Sequence, residues 1–285
     1  MKILITGANG QLAREFRKSL ESFAHEVTAL EKNAMDITSP ESVKKALAEY
    51  GPDVVVNCAS YNFVDKAEDD FDSAYKVNAQ GVRNLALACK RNAALLVHYS
   101  SDYVFDGKKE DFYTEEDPTN PINNYGKTKL LGENFLREDY DNFLLFRVSW
   151  VFGEGEQNFL FKLCEWAKKT RVLKIVCDQI SVPTYTRNIV NLTMFAVNRG
   201  LRGFYHLTSS GYATRYEVAR YFLERIGMRN LIIPVASEYF PSPARRPFFS
   251  AMANRKLAED LNVEIPDWKF GIDNYVNSVF GKEKV

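Results

Sequence analysis

Four short runs in this chain are apolar without alternation, Lys2–Thr6, Asp53–Cys58, Ala94–Ser101 and Phe143–Val148, and Glu26–Leu30 reads as a further strand. A strand with one face in water alternates polar and apolar residues, so unbroken runs read as strands buried on both faces. Between them lie segments with helical spacing. Leu12, Phe16, Leu20 and Phe23 follow the first run, and a longer helical region spans about Asp69 to Asn92. Strands and helices that alternate with short links imply a doubly wound parallel sheet, an α/β fold of the Rossmann-like kind. Ligands of such sheets bind at the carboxyl ends of the strands. Gly7, Cys58-Ala59-Ser60, Ser100-Ser101 and Ser149-Trp150 all fall there.

The texture changes after Trp150. Gly153–Asn158 is a polar loop, later helices and short strands carry no second glycine fingerprint, and Pro241–Pro247 is a rigid, basic loop. Residues 1–150 are therefore expected to form a dinucleotide-binding domain, completed by segments near 171–200, and residues 151–285 a smaller α/β unit that mainly binds substrate. A length of 285 residues, 46% of them hydrophobic, suits one large or two modest domains.

The first strand runs straight into Gly7-Ala8-Asn9-Gly10-Gln11-Leu12-Ala13. A glycine turn between strand and helix lets backbone approach a pyrophosphate, and the helix N-terminus offers free N–H groups and a positive dipole. The spacing is G-x-x-G-x-x-A, with Ala13 at the close-packing position. Glu31, after the second strand, suits a ribose 2′-hydroxyl and hence NADH, whereas its neighbour Lys32 suits the 2′-phosphate of NADPH. Asp36-Ile37 either brackets the adenine or is only the loop entering the helix at Ser39-Pro40.

Tyr125 and Lys129 stand four residues apart after Pro121 and an Asn pair, in Asn120-Pro121-Ile122-Asn123-Asn124-Tyr125-Gly126-Lys127-Thr128-Lys129. Turn and cap chemistry there predicts a helix start, which sets both side chains on one face. A phenol titrates near pH ~10 in water, and a neighbouring ammonium favours the phenolate. Lysine is thus expected to pull Tyr125 down toward neutrality, where it serves as a general acid or base. The polar stretch from Asp106 to Asn124 is either a mobile lid or an ordinary surface loop.

Lys and Arg total 37, as do Asp and Glu, so the net charge is zero. This disfavours nucleic acid or an anionic membrane as partner. No apolar run approaches the ~20 residues of a membrane span, and a nucleotide turn at residue 7 fits no signal peptide. Cys58, Cys89, Cys164 and Cys177 lack metal-type spacing and read as free thiols in a reducing cytoplasm, while His25, His98 and His206 are scattered. No metal site is expected from these residues.

Together these residues resemble the extended short-chain dehydrogenase/reductase family, and within it the branch that reduces nucleotide-linked 4-ketosugars. The matching stretches are the glycine turn, Val64–Glu68, His98–Gly107, Tyr125–Lys129, Arg147–Val151 and Pro243–Pro247, which together span nearly the whole chain. The resemblance implies reduction of dTDP-4-dehydro-L-rhamnose by NADPH or NADH in a cytoplasmic homodimer, as the last step toward a sugar nucleotide for cell-wall polysaccharide. It makes Tyr125 the proton donor and Lys129 the residue that binds the nicotinamide ribose and lowers the Tyr125 pKa. Ser101, where the branch usually has threonine, would hydrogen-bond the reacting carbonyl. Gly7, Gly10, Gln11 and Leu12 would meet the pyrophosphate, and Asp36 and Ile37 the adenine side. Cys58, Ala59, Ser60, Tyr61, Asn62 and Tyr99 would line the cofactor. Ser101, Asp102 and Trp150 would contact the sugar nucleotide, with Arg245 and Arg246 at its phosphates. Some members bind Mg2+ at a subunit contact. Neighbouring activities are a 4,6-dehydratase, which needs a second carboxylate where Tyr103 stands, and an epimerase. A non-catalytic subunit like the regulator of methionine adenosyltransferase is the alternative from another class.

Overall fold

The computed structural model describes residues 1–21 and 25–281, so Phe23 lies outside it. The chain opens with β1 (Lys2–Thr6), α1 (Gln11–Leu20), β2 (Glu26–Leu30), α2 (Pro40–Tyr50) and β3 (Val54–Asn57). Two short helices follow, α3 (Lys66–Asp69) and α4 (Phe71–Tyr75), then a π-helical turn, Lys76–Gln80. Next come α5 (Gly81–Asn92), β4 (Leu95–Ser101), α6 (Asn124–Asp139) and β5 (Phe143–Val148). The strand Gly203–His206 adds to β5, and the sheet reads Gly203–His206, β5, β4, β3, β1, β2. Every pairing in it is parallel. The chain winds outward in both directions from β1 and β3, which is the doubly wound arrangement, and ligands bind where the winding reverses.

Alternate residues of each strand feed opposite faces, as the pleat requires. Ile3, Ile5, Val54 and Val56 join Phe16, Val97 and Phe146 in one core layer. Leu4 and Val55 point the other way, to Leu47, Leu85, Leu96 and Leu145. Burial on both sides explains why these strands carry no polar alternation. The helix Thr186–Asn198 supplies Ile189, Val190 and Met194 to the first layer. A separate core holds Phe152, Leu163, Tyr185, Phe222 and Tyr275.

The helical region expected from about Asp69 is broken at Asp70, whose side chain caps α4 by accepting from Ser73 N at 3.1 Å. The π turn that follows presents Asn78 inward. Its Oδ1 accepts from Ser60 Oγ and from Tyr61 N, both at 2.9 Å. Its Nδ2 donates to Tyr61 O and to Thr128 Oγ1, both at 3.1 Å. One buried amide therefore ties the loop after β3 to α6.

The stretch 106–124 is no free lid. Tyr113 is buried and stacks on Phe105 at 4.1 Å between ring centres. Its N donates to Ala251 O at 2.9 Å and its carbonyl accepts from Ala253 N at 2.8 Å. Asp106 accepts from the Tyr113 hydroxyl and from Asn120 Nδ2, each at 3.0 Å. Polar composition suggested exposure, but these polar groups bond one another.

Candidate active site

A crevice of about 580 Å³ opens at the carboxyl ends of β1, β3, β4 and β5. Of the residues singled out in the sequence, Gly10, Gln11, Leu12, Cys58, Ala59, Ser60, Asn62, Tyr99, Ser101, Asp102, Tyr125, Lys129 and Trp150 line it.

Gly7 works beneath the crevice. Its φ is +66°, and a Cβ there would lie 2.9 Å from the Ala59 backbone. The absent side chain lets the ends of β1 and β3 close together, where Thr6 Oγ1 donates to Asn57 Oδ1 at 2.6 Å and accepts from Ala59 N at 3.1 Å. Gly10 is extended and offers α1 no side-chain cap. The first N–H groups of α1 thus face the crevice uncapped, which suits an anion. Gln11 Nε2 donates to Val151 O at 3.1 Å, and its buried Oε1 has no partner among the described residues. An uncapped helix start beside an unused acceptor fits the pyrophosphate and ribose of a dinucleotide.

Several expected contacts fall elsewhere. Asp36 and Ile37 do not line the crevice. The Asp36 carboxylate accepts from Thr38 N at 2.9 Å and Thr38 Oγ1 at 2.8 Å at the entry to α2, and Ile37 is buried in the core. Tyr61 spends its backbone on Asn78 and its ring on Phe63, edge to face at 5.7 Å. Glu31 and Lys32 are both exposed, side by side after β2.

Ser101 ends β4; its Oγ donates to Asp102 Oδ1 at 3.0 Å and accepts from Tyr103 N at 3.1 Å. Asn123 caps α6 by accepting from Gly126 N at 2.7 Å, and the helix carries Tyr125 and Lys129 on one face toward the crevice. Gly126 permits the approach, since a Cβ there would sit 2.1 Å from Tyr103 O. The Tyr125 ring meets Tyr103 edge to face at 5.9 Å. Burial pushes the Tyr125 phenol above its ordinary value, a hydrogen bond with Ser101 opposes this, and Asp102 and Tyr103 push it further up. The expected lowering by Lys129 is thus corrected. Lys129 is itself buried and donates to Tyr99 O at 2.6 Å, and burial brings its pKa down to about 8 against the pull of Glu133. The ammonium is directed to the Tyr99 carbonyl and is not among the groups that lower the phenol.

Asp102 is buried with its carboxylate toward serine hydroxyls, Ser250 donating at 2.6 Å besides Ser101 at 3.0 Å. Burial raises its pKa to about 6, with the hydrogen bonds from Ser250, Ser101 and Ser149 opposing. Trp150 holds a φ of +40°, a conformation costly for a side chain of its size, at a site residue. Pairing of Val151 with Thr184 and contact of its ring with Phe159 at 5.7 Å fix it there.

The basic loop behaves differently from expectation. Arg245 is exposed and does not line the crevice; its carbonyl accepts from Asn123 Nδ2 at 2.8 Å, which steadies the α6 cap. Arg246 pairs with Asp65 at 2.8 Å and bonds the Tyr103 phenol. The arginine that lines the crevice is Arg215, the first residue of the helix Arg215–Arg225. No local motif marks it, because it reaches the site only through tertiary packing. Asn78 was equally silent in the sequence, a lone amide inside a helical pattern.

The family model described as RmlD substrate binding domain matches residues 1–280. The chain belongs to the RmlD family. A dTDP-4-dehydrorhamnose reductase of Burkholderia thailandensis is 40% identical over 289 residues, covering 95% of this chain and 97% of the relative. The crystal structure of a dTDP-4-dehydrorhamnose reductase from Clostridium acetobutylicum superposes with a TM-score of 0.95 at 37% identity, over 98% of this chain and all (100%) of that one. That of Bacillus anthracis dTDP-4-dehydrorhamnose reductase, solved in complex with NADP, also gives 0.95, at 32% identity over 98% and 99% of the two chains. The RmlD fold here shows, among the described residues, no group of three or more His, Cys, Asp or Glu side chains placed to hold a metal ion. No helix among the described residues is long and apolar enough to cross a membrane.

Proposed function

We propose that this protein reduces the C4 ketone of dTDP-4-dehydro-L-rhamnose to dTDP-L-rhamnose, the last step of dTDP-rhamnose synthesis, with NADPH or NADH. The observation that carries this reading is the convergence of Ser101, Tyr125 and Lys129 on a crevice floored by an uncapped helix N-terminus. A bound reduced nicotinamide supplies the hydride. The NADP in the Bacillus anthracis relative supports NADPH.

The residues divide the remaining work. Tyr125 keeps its proton because burial holds its phenol high, so it stands ready as the acid that protonates the forming alkoxide. Ser101 Oγ lies within hydrogen-bonding reach of the same phenol and donates to the carbonyl oxygen after rotation about one bond. Lys129 braces the Tyr99 carbonyl and carries positive charge beside the developing negative charge. Asp102 accepts from a sugar hydroxyl, and Trp150 forms an apolar wall for the deoxysugar. A dehydratase is disfavoured because Tyr103, not a carboxylate, follows Asp102. A purely regulatory role leaves the convergence of Ser101 and Tyr125 on the crevice without a use. The enzyme is taken to work as a cytoplasmic homodimer.

The test mixes the protein with dTDP-4-dehydro-L-rhamnose and NADPH, then NADH. Loss of reduced-nicotinamide absorbance with a product of the mass of dTDP-L-rhamnose supports the reading, and the two rates set Glu31 against Lys32. Cofactor binding without oxidation would move the assignment to another sugar ketone or to the regulatory role.

A further inference from the structure

Arg215 is a cation in the crevice, attracted by the charge of Asp102 on the same lining. Among the described residues it forms no ion pair with a carboxylate, whereas Arg246 close by is matched by Asp65 at 2.8 Å. Its guanidinium carbon lies 5.1 Å from the centre of the Trp150 ring and 5.6 Å from that of Phe159. The two ring centres are themselves 5.7 Å apart, so both rings lie to one side of the guanidinium, and the Tyr103 phenol interacts favourably with it. Tyr103 interacts favourably with Arg246 as well, and the two guanidinium groups repel each other. Lys162 lines the same crevice and adds a further positive charge to that wall.

An arginine and a lysine on one lining favour a doubly charged oxyanion. A guanidinium has five N–H donors in a planar fork that matches two oxygens of a phosphate. With both rings to one side, the fork and its other face are left for a ligand. Arg245 cannot serve in this way, being exposed and outside the crevice.

We propose that Arg215 is the main anion receptor of the substrate half of the crevice, gripping the diphosphate of the sugar nucleotide, with Tyr103 as the residue that orients it. This rests on the reductase reading for the identity of the substrate. Its chemistry requires only a nucleoside diphosphate.

Calorimetric titration of the full-length protein saturated with NADPH tests it, with dTDP, thymidine and inorganic pyrophosphate as ligands. Arg215→Gln should weaken dTDP by about 10- to 100-fold, the loss of one charged bidentate contact, and leave thymidine unchanged. Arg245→Gln should bind dTDP like wild type. Pyrophosphate should compete with dTDP for wild type but not for Arg215→Gln. Should that variant fail to fold, Arg215→Lys keeps the charge, loses the fork and should still weaken dTDP selectively. A dTDP affinity within twofold of wild type in both variants overturns the proposal, as does an equal loss of thymidine, which would mean that Arg215 only props Trp150. Binding is read without turnover, so a failed reductase assay with the dTDP–thymidine contrast intact would sink the reaction and not the receptor.

Discussion

The Ser250 hydroxyl donates a 2.6 Å hydrogen bond to Asp102 across 148 residues of chain. Both side chains are buried, and the bond ties the segment behind the basic loop to the end of β4, where Ser101 sits. Ser250→Ala removes one donor from a carboxylate that burial already penalises. The expected cost is about 1–3 kcal/mol of stability by denaturant titration. The KM for the sugar nucleotide should rise more than kcat falls, because Asp102 lies on the substrate side. A variant with unchanged KM would show that the bond is structural alone.

The Asp102 pKa of about 6, above the ordinary carboxylate value of 3.8, makes a directional claim about pH. The folded state holds this proton more tightly than the unfolded chain. Stability from that proton is complete below about pH 4 and is lost as pH rises through about 6. Asp102→Asn should abolish this component, so melting curves of wild type and variant should diverge as pH rises from 4 to 6. Parallel curves across that window would mean that Asp102 titrates normally.

Tyr125→Phe keeps the ring against Tyr103 and removes only the proton it carries. Turnover should fall by about 10²- to 10⁴-fold while NADPH binding and the melting temperature hardly change. Retention of near wild-type kcat would reassign the proton donor.

Lys129 bends stability the other way at alkaline pH. Its folded pKa of about 8 lies below the ordinary 10.5, so the unfolded chain binds more protons between those values. Stability should therefore rise with pH from about 8 to 10.5, and Lys129→Met should flatten that rise. Wild-type kcat should meanwhile decline above about pH 8 as the cation beside Tyr99 O is lost. A flat kcat up to pH 10 would deny the ammonium any part in turnover.

The sheet was legible because burial on both faces writes itself into composition. Val54-Val55-Val56 admits few other readings, and β2 and β5 fall on the residues that read as strands. The Tyr125-Lys129 face was legible because helix spacing is local. The electrostatics between those two residues was not, since the direction of Lys129 depends on a carbonyl 30 residues away. Arg245 and Arg246 were placed at the phosphates by the resemblance of Pro243–Pro247 to the family. Only packing shows one exposed, the other claimed by Asp65, and Arg215 in the crevice instead. The stretch 106–124 is the largely solvent-facing loop that was one of its two readings, and composition does not reveal that its polar groups bond each other.

Asn78 offers the sharpest test of that hidden layer. It is buried, and its amide meets four partners: Ser60 Oγ, Tyr61 N, Tyr61 O and Thr128 Oγ1. Asn78→Ala strands the Tyr61 backbone groups in a π turn packed against α6, and should cost about 2–4 kcal/mol. Asn78→Asp keeps both acceptor bonds but turns an oxygen toward Tyr61 O and Thr128, so it should be no better than alanine. The loop after β3 lines the cofactor crevice through Ala59, Ser60 and Asn62, so the KM for NADPH should rise in both variants. The dTDP affinity, set on the opposite wall by Arg215, should stay near wild type. If aspartate proved as stable as asparagine, the direction of these bonds would be wrong, and the loop would owe its position to packing of the π turn alone.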